Sequence, residues 1–389
     1  MLVKVSTCDD LNDRARFGAA HPSRDRKGAF VGNRGWRLFA HGRLAEHTPR
    51  ARPARSSLAA ASRWACVAAV CSAIGCGGAS TPPTPEVIVA GLNNPTGVAV
   101  LDGGTLIVAE SGAGRLISLA ADGTTEPLVS NFALGTFSPY DIGPLAVLAL
   151  PDGTLIVGEG GAPFRERVSF FSPEGVSLSE LDMTPLSGGN FSGLAIDPAT
   201  GDLYIAGADT DNIFVAVALE GGLFDDPVEF IADTKLAPIG WAAPSALAFD
   251  VDGTLLVGFS GSKGSGIVRL APANQQSTPF VEQVYSSTRM VTALAVRPSD
   301  GVIFFAEFDL LQTTPGRVAT ITETGDEPAT YLENLAGPSA LIFDSTENLF
   351  IATLGTTPNG DAGSILKVAG KDAGEPDEPN LPEPVEDDD

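Results

Sequence analysis

Side-chain chemistry needs particular residue types, and most of this chain lacks them. All three histidines (His21, His41, His47) and all four cysteines (Cys8, Cys66, Cys71, Cys76) fall within the first 76 of its 389 residues. Downstream of Cys76 no serine or cysteine triad, zinc site, thiol redox couple or histidine proton shuttle can be assembled. That leaves carboxylate chemistry, a hard cation such as calcium, or binding without catalysis. Local motifs narrow the choice further. Asp209-Thr210-Asp211 with Glu220 matches the first, third and twelfth positions of a calcium loop. Ile213 and Phe214, however, stand where an oxygen ligand and a glycine are required, so a turn is expected there. Gly258-Phe259-Ser260-Gly261 lacks nucleophile-elbow spacing, and Gly261 to Gly266 lacks phosphate-loop spacing and precedes a strand.

Charge divides the chain as sharply as the histidines do. Residues 1–63 carry 13 of the 24 Lys/Arg and five acids; the remainder holds 11 Lys/Arg against 43 Asp/Glu, a formal −32. Such a body repels phosphates and shows no basic patch, so nucleic acid is not an expected partner.

Any site must be positioned by a repeat. Three apolar residues followed by Ala or Gly recur six times, ending at Ala109, Gly158, Ala206, Gly258, Ala306 and Ala352, with spacings of 49, 48, 52, 48 and 46. Each run has an earlier partner such as Val98-Ala99-Val100 or Leu247-Ala248-Phe249. Turn signals such as Pro151-Asp152-Gly153 and Asp252-Gly253 lie between the two. A period near 48 in an all-strand pattern predicts propeller blades, and the small fourth residues fit strands crowded near a common axis. A third strand follows, as at Arg115–Leu119, and a weaker fourth, as at Val228–Ile231. The sixth unit ends after its third strand. Ile88–Pro95 aligns with Tyr331–Pro338 at a constant offset of 243, so the N-terminal strand is expected to complete blade six and close the ring. The fold class read from the sequence is therefore all-β, a six-bladed β-propeller over 86–370, monomeric.

The segments on either side read differently. Residues 1–55 form an Arg-rich leader without periodicity. In residues 56–75 an apolar run from Trp64, too short to span a bilayer and of signal-peptide length, follows Arg52, Arg55 and Arg63. Ala73-Ile74-Gly75-Cys76 resembles a bacterial lipobox, which implies lipidation of Cys76; Ala73 departs from the usual Leu. A plain secretory signal is the alternative. Residues 76–85 read as a tether, and 371–389, with nine acids and one Lys, as a solvated, disordered tail. Together these imply an exported, membrane-anchored or secreted protein whose only membrane contact is the lipid.

Pro95 to Glu110 and Pro244 to Gly258 resemble the repeat of six-bladed NHL-type propellers and of the related gluconolactonase and strictosidine-synthase-like propellers. The resemblance spans about 86–370. It implies the fold far more than an activity, since the group includes lactonases, lyases and binding scaffolds. It also points to the face built by the loops entering the innermost strands and those leaving the second strands. The first set contains Asn94, Asp141, Asn190, Trp241 and Arg289, and the second Glu110, Glu159 and Glu307. The three glutamates either converge on a ligand or bond within their own loops. Trp241 is either a sugar-stacking platform or rim packing. Gluconolactonase-type enzymes hold a divalent cation with Glu, Asn and Asp; Glu159, Asn190 and Asn94 are the metal candidates and Ca2+ the candidate ion, but no motif places the three together and the sequence requires no cofactor. The long loops Glu307–Gly316 and Thr353–Gly363 are further places for recognition. The expected function is a lipid-anchored module that binds a small molecule, glycan or protein at the cell surface. The alternative is a calcium-dependent lactonase-type hydrolase.

Overall fold

A computed structural model of the chain describes residues 83–161, 167–183, 189–231, 240–261, 264–271, 280–310 and 314–370. The leader, signal-like run, Cys76 and acidic tail lie outside the described residues.

Six four-stranded antiparallel sheets form the blades of a propeller. Blade 1 runs outward through Pro95–Val100, Leu106–Glu110, Arg115–Leu119 and Thr125–Ser130. The inner strands of blades 2 to 6 are Pro144–Ala149, Phe191–Ile196, Pro244–Phe249, Met290–Val296 and Pro338–Phe343. Blade 6 takes its outermost strand from the other end of the chain, because Glu86–Leu92 pairs antiparallel with Gly363–Val368. The ring thus closes as the 243-residue offset predicts.

The apolar triplets are explained by what lies on either side of them. The buried clusters sit between neighbouring blades: Ile107 and Leu116 of blade 1 pack with Leu155 and Val157 of blade 2. On the opposite face of blade 1, Val98 and Val108 pack with Ala352 and Ile365 of blade 6. The other four interfaces are built alike. A second strand such as Leu106–Glu110 is therefore buried on both faces and reads as continuously apolar instead of alternating. Each fully buried Ile, Leu or Val contributes about 1.5–3 kcal/mol.

The small residues need a correction. The innermost strands are the first of each blade, and they line the axial channel with Gly97, Ala146, Gly193, Ala246, Ala293 and Ala340. A Cβ on Gly97 would stand 2.9 Å from Val147 N, so it is these positions that axial crowding keeps small. The Ala/Gly after each apolar triplet in the second strands is small for another reason, as it lies under the adjacent blade. A Cβ on Gly158 would strike Phe191 O, and one on Gly258 would stand 2.9 Å from Val291 Cγ1.

Each inner strand carries a register shift at its start, between Pro95 and Gly97 and at the five equivalent places. The bulged residues are Thr96, Leu145, Ser192, Ser245, Thr292 and Ser339. A bulge frees one residue from the ladder and redirects its side chain. Here the freed hydroxyl donates to a carbonyl at the start of the next blade: Thr96 to Pro144 O (3.1 Å), Ser192 to Pro244 O (3.5 Å), Ser245 to Val291 O (2.5 Å), Thr292 to Pro338 O (2.7 Å) and Ser339 to Pro95 O (2.6 Å). Five of six blades are stapled this way, and Leu145 leaves the step from blade 2 to blade 3 unstapled.

Candidate functional site

The bulges form the floor of a cavity of about 200 Å³ on the axis at the top face. Because the floor hydroxyls already donate to neighbouring blades, the floor offers a ligand few free hydrogen-bond donors. The walls are apolar. Leu145 rises from the one unstapled bulge, Met290 begins the inner strand of blade 5, Phe308 ends the second strand of that blade, and Leu310 and Leu354 follow the second strands of blades 5 and 6.

One wall is an insertion. Between blades 1 and 2 the chain forms a small hairpin, Gly135–Phe137 with Tyr140–Ile142. It reaches over the axial cavity, so that Tyr140 packs in one cluster with Phe308 of blade 5 and Leu354 of blade 6. Phe137 projects from the hairpin, 47% exposed, and also lines the cavity. The hairpin is held by Asn359 of the blade 6 loop. Its Oδ1 accepts from Asp141 N at 2.6 Å and Asn94 Nδ2 at 2.8 Å, and its Nδ2 donates to Pro139 O at 3.1 Å.

Three of the sequence candidates line this cavity: Asn94, Asp141 and Asn190. Asn94 and Asn190 have φ of 48° and 52°, immediately before the bulged strands, a left-handed conformation that asparagine tolerates better than most residues. Their carbonyls accept from Ser111 N and Ala208 N, which fixes the loops leaving the second strands. Asn94 is buried, and its side chain serves Asn359 and Asp141 O. Asn190 Nδ2 donates to Asp209 Oδ2 at 2.6 Å, while its buried Oδ1 has no partner among the described residues.

The other candidates lie elsewhere. Glu110, Glu159 and Glu307 are buried away from the cavity, each beside an arginine at or next to the start of the following strand. Glu110 accepts from Arg115 Nε (2.5 Å) and Asn93 N (2.8 Å). Glu307 accepts from Arg317 Nε (2.8 Å), Ser287 Oγ (2.7 Å) and Tyr285 OH (3.3 Å). Glu159 accepts from Ser169 Oγ (2.6 Å) and lies 3.4 Å from Arg167 Nε. Burial pushes the Glu159 carboxyl above the usual range, with Ser169 and Arg167 pulling partly back. The glutamates thus follow neither alternative as expected: they bond chiefly to arginine and hydroxyl side chains of neighbouring strands, and the backbone amide that Glu110 takes, Asn93 N, belongs to another loop. Trp241 is 7% exposed and packs against Phe259, its ring filling the space over Gly264 and Gly266, so it is rim packing and not a platform. Arg289 lines a groove that adjoins the cavity above blades 4 and 5. Asp209–Asp211 forms the expected blade turn, with Asp211 Oδ1 accepting from Ala243 N at 2.7 Å.

The metal candidates do not fit a cation together. Asn94 and Asn190 line the axial cavity, whereas Glu159 faces an outer groove with Arg167, Ser169 and Glu180. Among the described residues no three His, Cys, Asp or Glu side chains group as metal ligands. Sequence reading missed Phe137, Tyr140, Leu354 and Asn359. The hairpin had a signal in Phe137-Ser138-Pro139-Tyr140, a turn between aromatic residues, but its reach over the cavity is a tertiary fact.

No family model matches the sequence, and no curated protein matches it. The fold is similar to that of the PQQ-bound aldose sugar dehydrogenase of Streptomyces coelicolor, with TM-score 0.55 and 16% identity over 74% of this chain and 99% of that one. A structure described as an oxidoreductase (glucose dehydrogenase) of Thermus thermophilus gives 0.54 and 16% over 74% and 99%. A structure described as a gluconolactonase gives 0.50 and 15% over 74% and 92%. At these identities the likeness establishes the six-bladed fold alone.

Proposed function

We propose that this propeller is an exported binding protein that takes a small ligand with an apolar body into the axial cavity. The observation that carries the reading is the cavity itself: apolar side chains from three blades and the overlying hairpin enclose it over a floor of internally bonded hydroxyls. An engineered apolar cavity of about 150 Å³ takes benzene, so a ring or a short branched chain suits this one. Export and anchoring rest on the run before Cys76; Cys76→Ala should release the protein from membranes, and unchanged membrane association refutes the lipid.

The rival, calcium-dependent hydrolysis of a lactone, takes its support from the names of the structural neighbours. It requires oxygen ligands that converge, and the candidates for that role are divided between two cavities. Melting that is the same in calcium and in chelator, together with no lactone hydrolysis, excludes it. The binding reading is tested by Ala208→Trp, which fills the cavity from its rim. Binding of a small apolar probe should be lost with melting unchanged, and retained binding refutes the site.

A further inference from the structure

The apolar cavity leaves open the charge of its ligand, and three observations bear on that charge. The rings of Phe137, Tyr140 and Phe308 wall the cavity, and an aromatic face attracts a cation through its quadrupole. The carboxylates of Asp141 and Asp209 stand at the same cavity, which no Lys or Arg among the described residues lines. Neither is joined by an ion pair to a described residue, while Arg115, Arg167, Arg269, Arg297 and Arg317 each hold a carboxylate. The side-chain donors they do have, Thr136 for Asp141 and Asn190 for Asp209, are uncharged. Finally, the chain after residue 63 carries a formal −32, and a cleft with low-dielectric walls focuses such a field and concentrates counter-ions of opposite sign.

The kind of cation follows from hydrogen bonding. A primary ammonium brings three N–H donors that need acceptors, and the walls of this cavity, built from Leu145, Met290, Phe308, Leu310 and Leu354, present none. A quaternary ammonium brings none. Its charge is spread over methyl groups that pack on aromatic and aliphatic walls. Arg289 is in the adjoining groove, near Asp309, with Nη1 donating to Pro315 O at 3.2 Å.

We infer that the axial cavity binds a quaternary ammonium compound of small apolar body, its cationic head against the Phe137, Tyr140 and Phe308 rings and near Asp141 and Asp209. The inference rests on the reading of the cavity as a ligand site, and the experiment separates the two. The full chain is titrated calorimetrically with choline and with its uncharged isostere 3,3-dimethylbutan-1-ol. Choline should bind at least about tenfold more tightly than the alcohol. The Asp141→Asn/Asp209→Asn double variant should weaken choline by about tenfold and leave the alcohol unchanged, with melting unaltered. If the alcohol binds as tightly as choline, the charge inference fails while the cavity reading stands. If neither binds, both fail. Choline binding that ignores the double variant also overturns the inference. Should the double variant not fold, the comparison of the two probes on the unaltered protein still decides.

Discussion

Three glutamates at equivalent positions in their blades share one architecture and differ in energetics. Glu307 is buried and accepts from an arginine, a serine and a tyrosine, and removing a buried partner costs more than the pair contributes. Because Arg317 keeps some exposure, Glu307→Ala is expected to destabilise by about 1–3 kcal/mol in urea unfolding. Glu159 behaves oppositely: burial raises its carboxyl above the ordinary value of 4.5, so ionising it opposes folding. Its contribution to stability is present below the unfolded pKa and is lost as pH rises through the higher folded one. Glu159→Gln should therefore flatten the stability curve above about pH 4.5 and leave the protein at least as stable at neutral pH. A variant that melts lower at pH 7 and keeps the original slope contradicts this. The glutamates were countable in the sequence, and their partners were visible too as Arg115, Arg167 and Arg317. Their direction was not, because whether a side chain turns to the axis or to the next strand depends on cross-strand register.

At the scale of elements the inner-strand bulge does most of the organising. It sets the hydroxyl ring, narrows the channel and fixes the loops above it. Ser339→Ala removes the staple between blades 6 and 1 and should cost about 1 kcal/mol, whereas Leu145, with no staple to lose, should tolerate Met with little effect on melting. The hairpin over the cavity depends on one residue of a distant loop. Asn359→Ala should speed amide exchange over 135–142 and weaken ligand binding while global melting moves little, since the blades do not rest on it. Exchange rates that stay as slow as in the parent would show that packing of Tyr140 alone holds the hairpin. The loop after Thr353 was marked by its length as a place for recognition, and it supplies Asn359. Its target lies 218 residues away at Asp141, which no local pattern reveals.

For the whole molecule, period and ring closure were legible because a strand buried on both faces writes a continuous apolar signature, and because the first strand repeats the motif that blade six lacks. The absence of His and Cys after Cys76 limits the chemistry from the sequence alone. The cavity was not legible, since its walls come from four separate segments that only closure brings together. Its most direct test uses a compositional accident. The chain has three methionines: Met1 outside the described residues, Met183 buried between blades 2 and 3, and Met290 lining the cavity. In a spectrum of the full chain with 13C-labelled methionine methyls, addition of choline should move the Met290 signal and leave Met183 in place. A Met290 signal that stays fixed through saturating choline and saturating 3,3-dimethylbutan-1-ol would contradict the account.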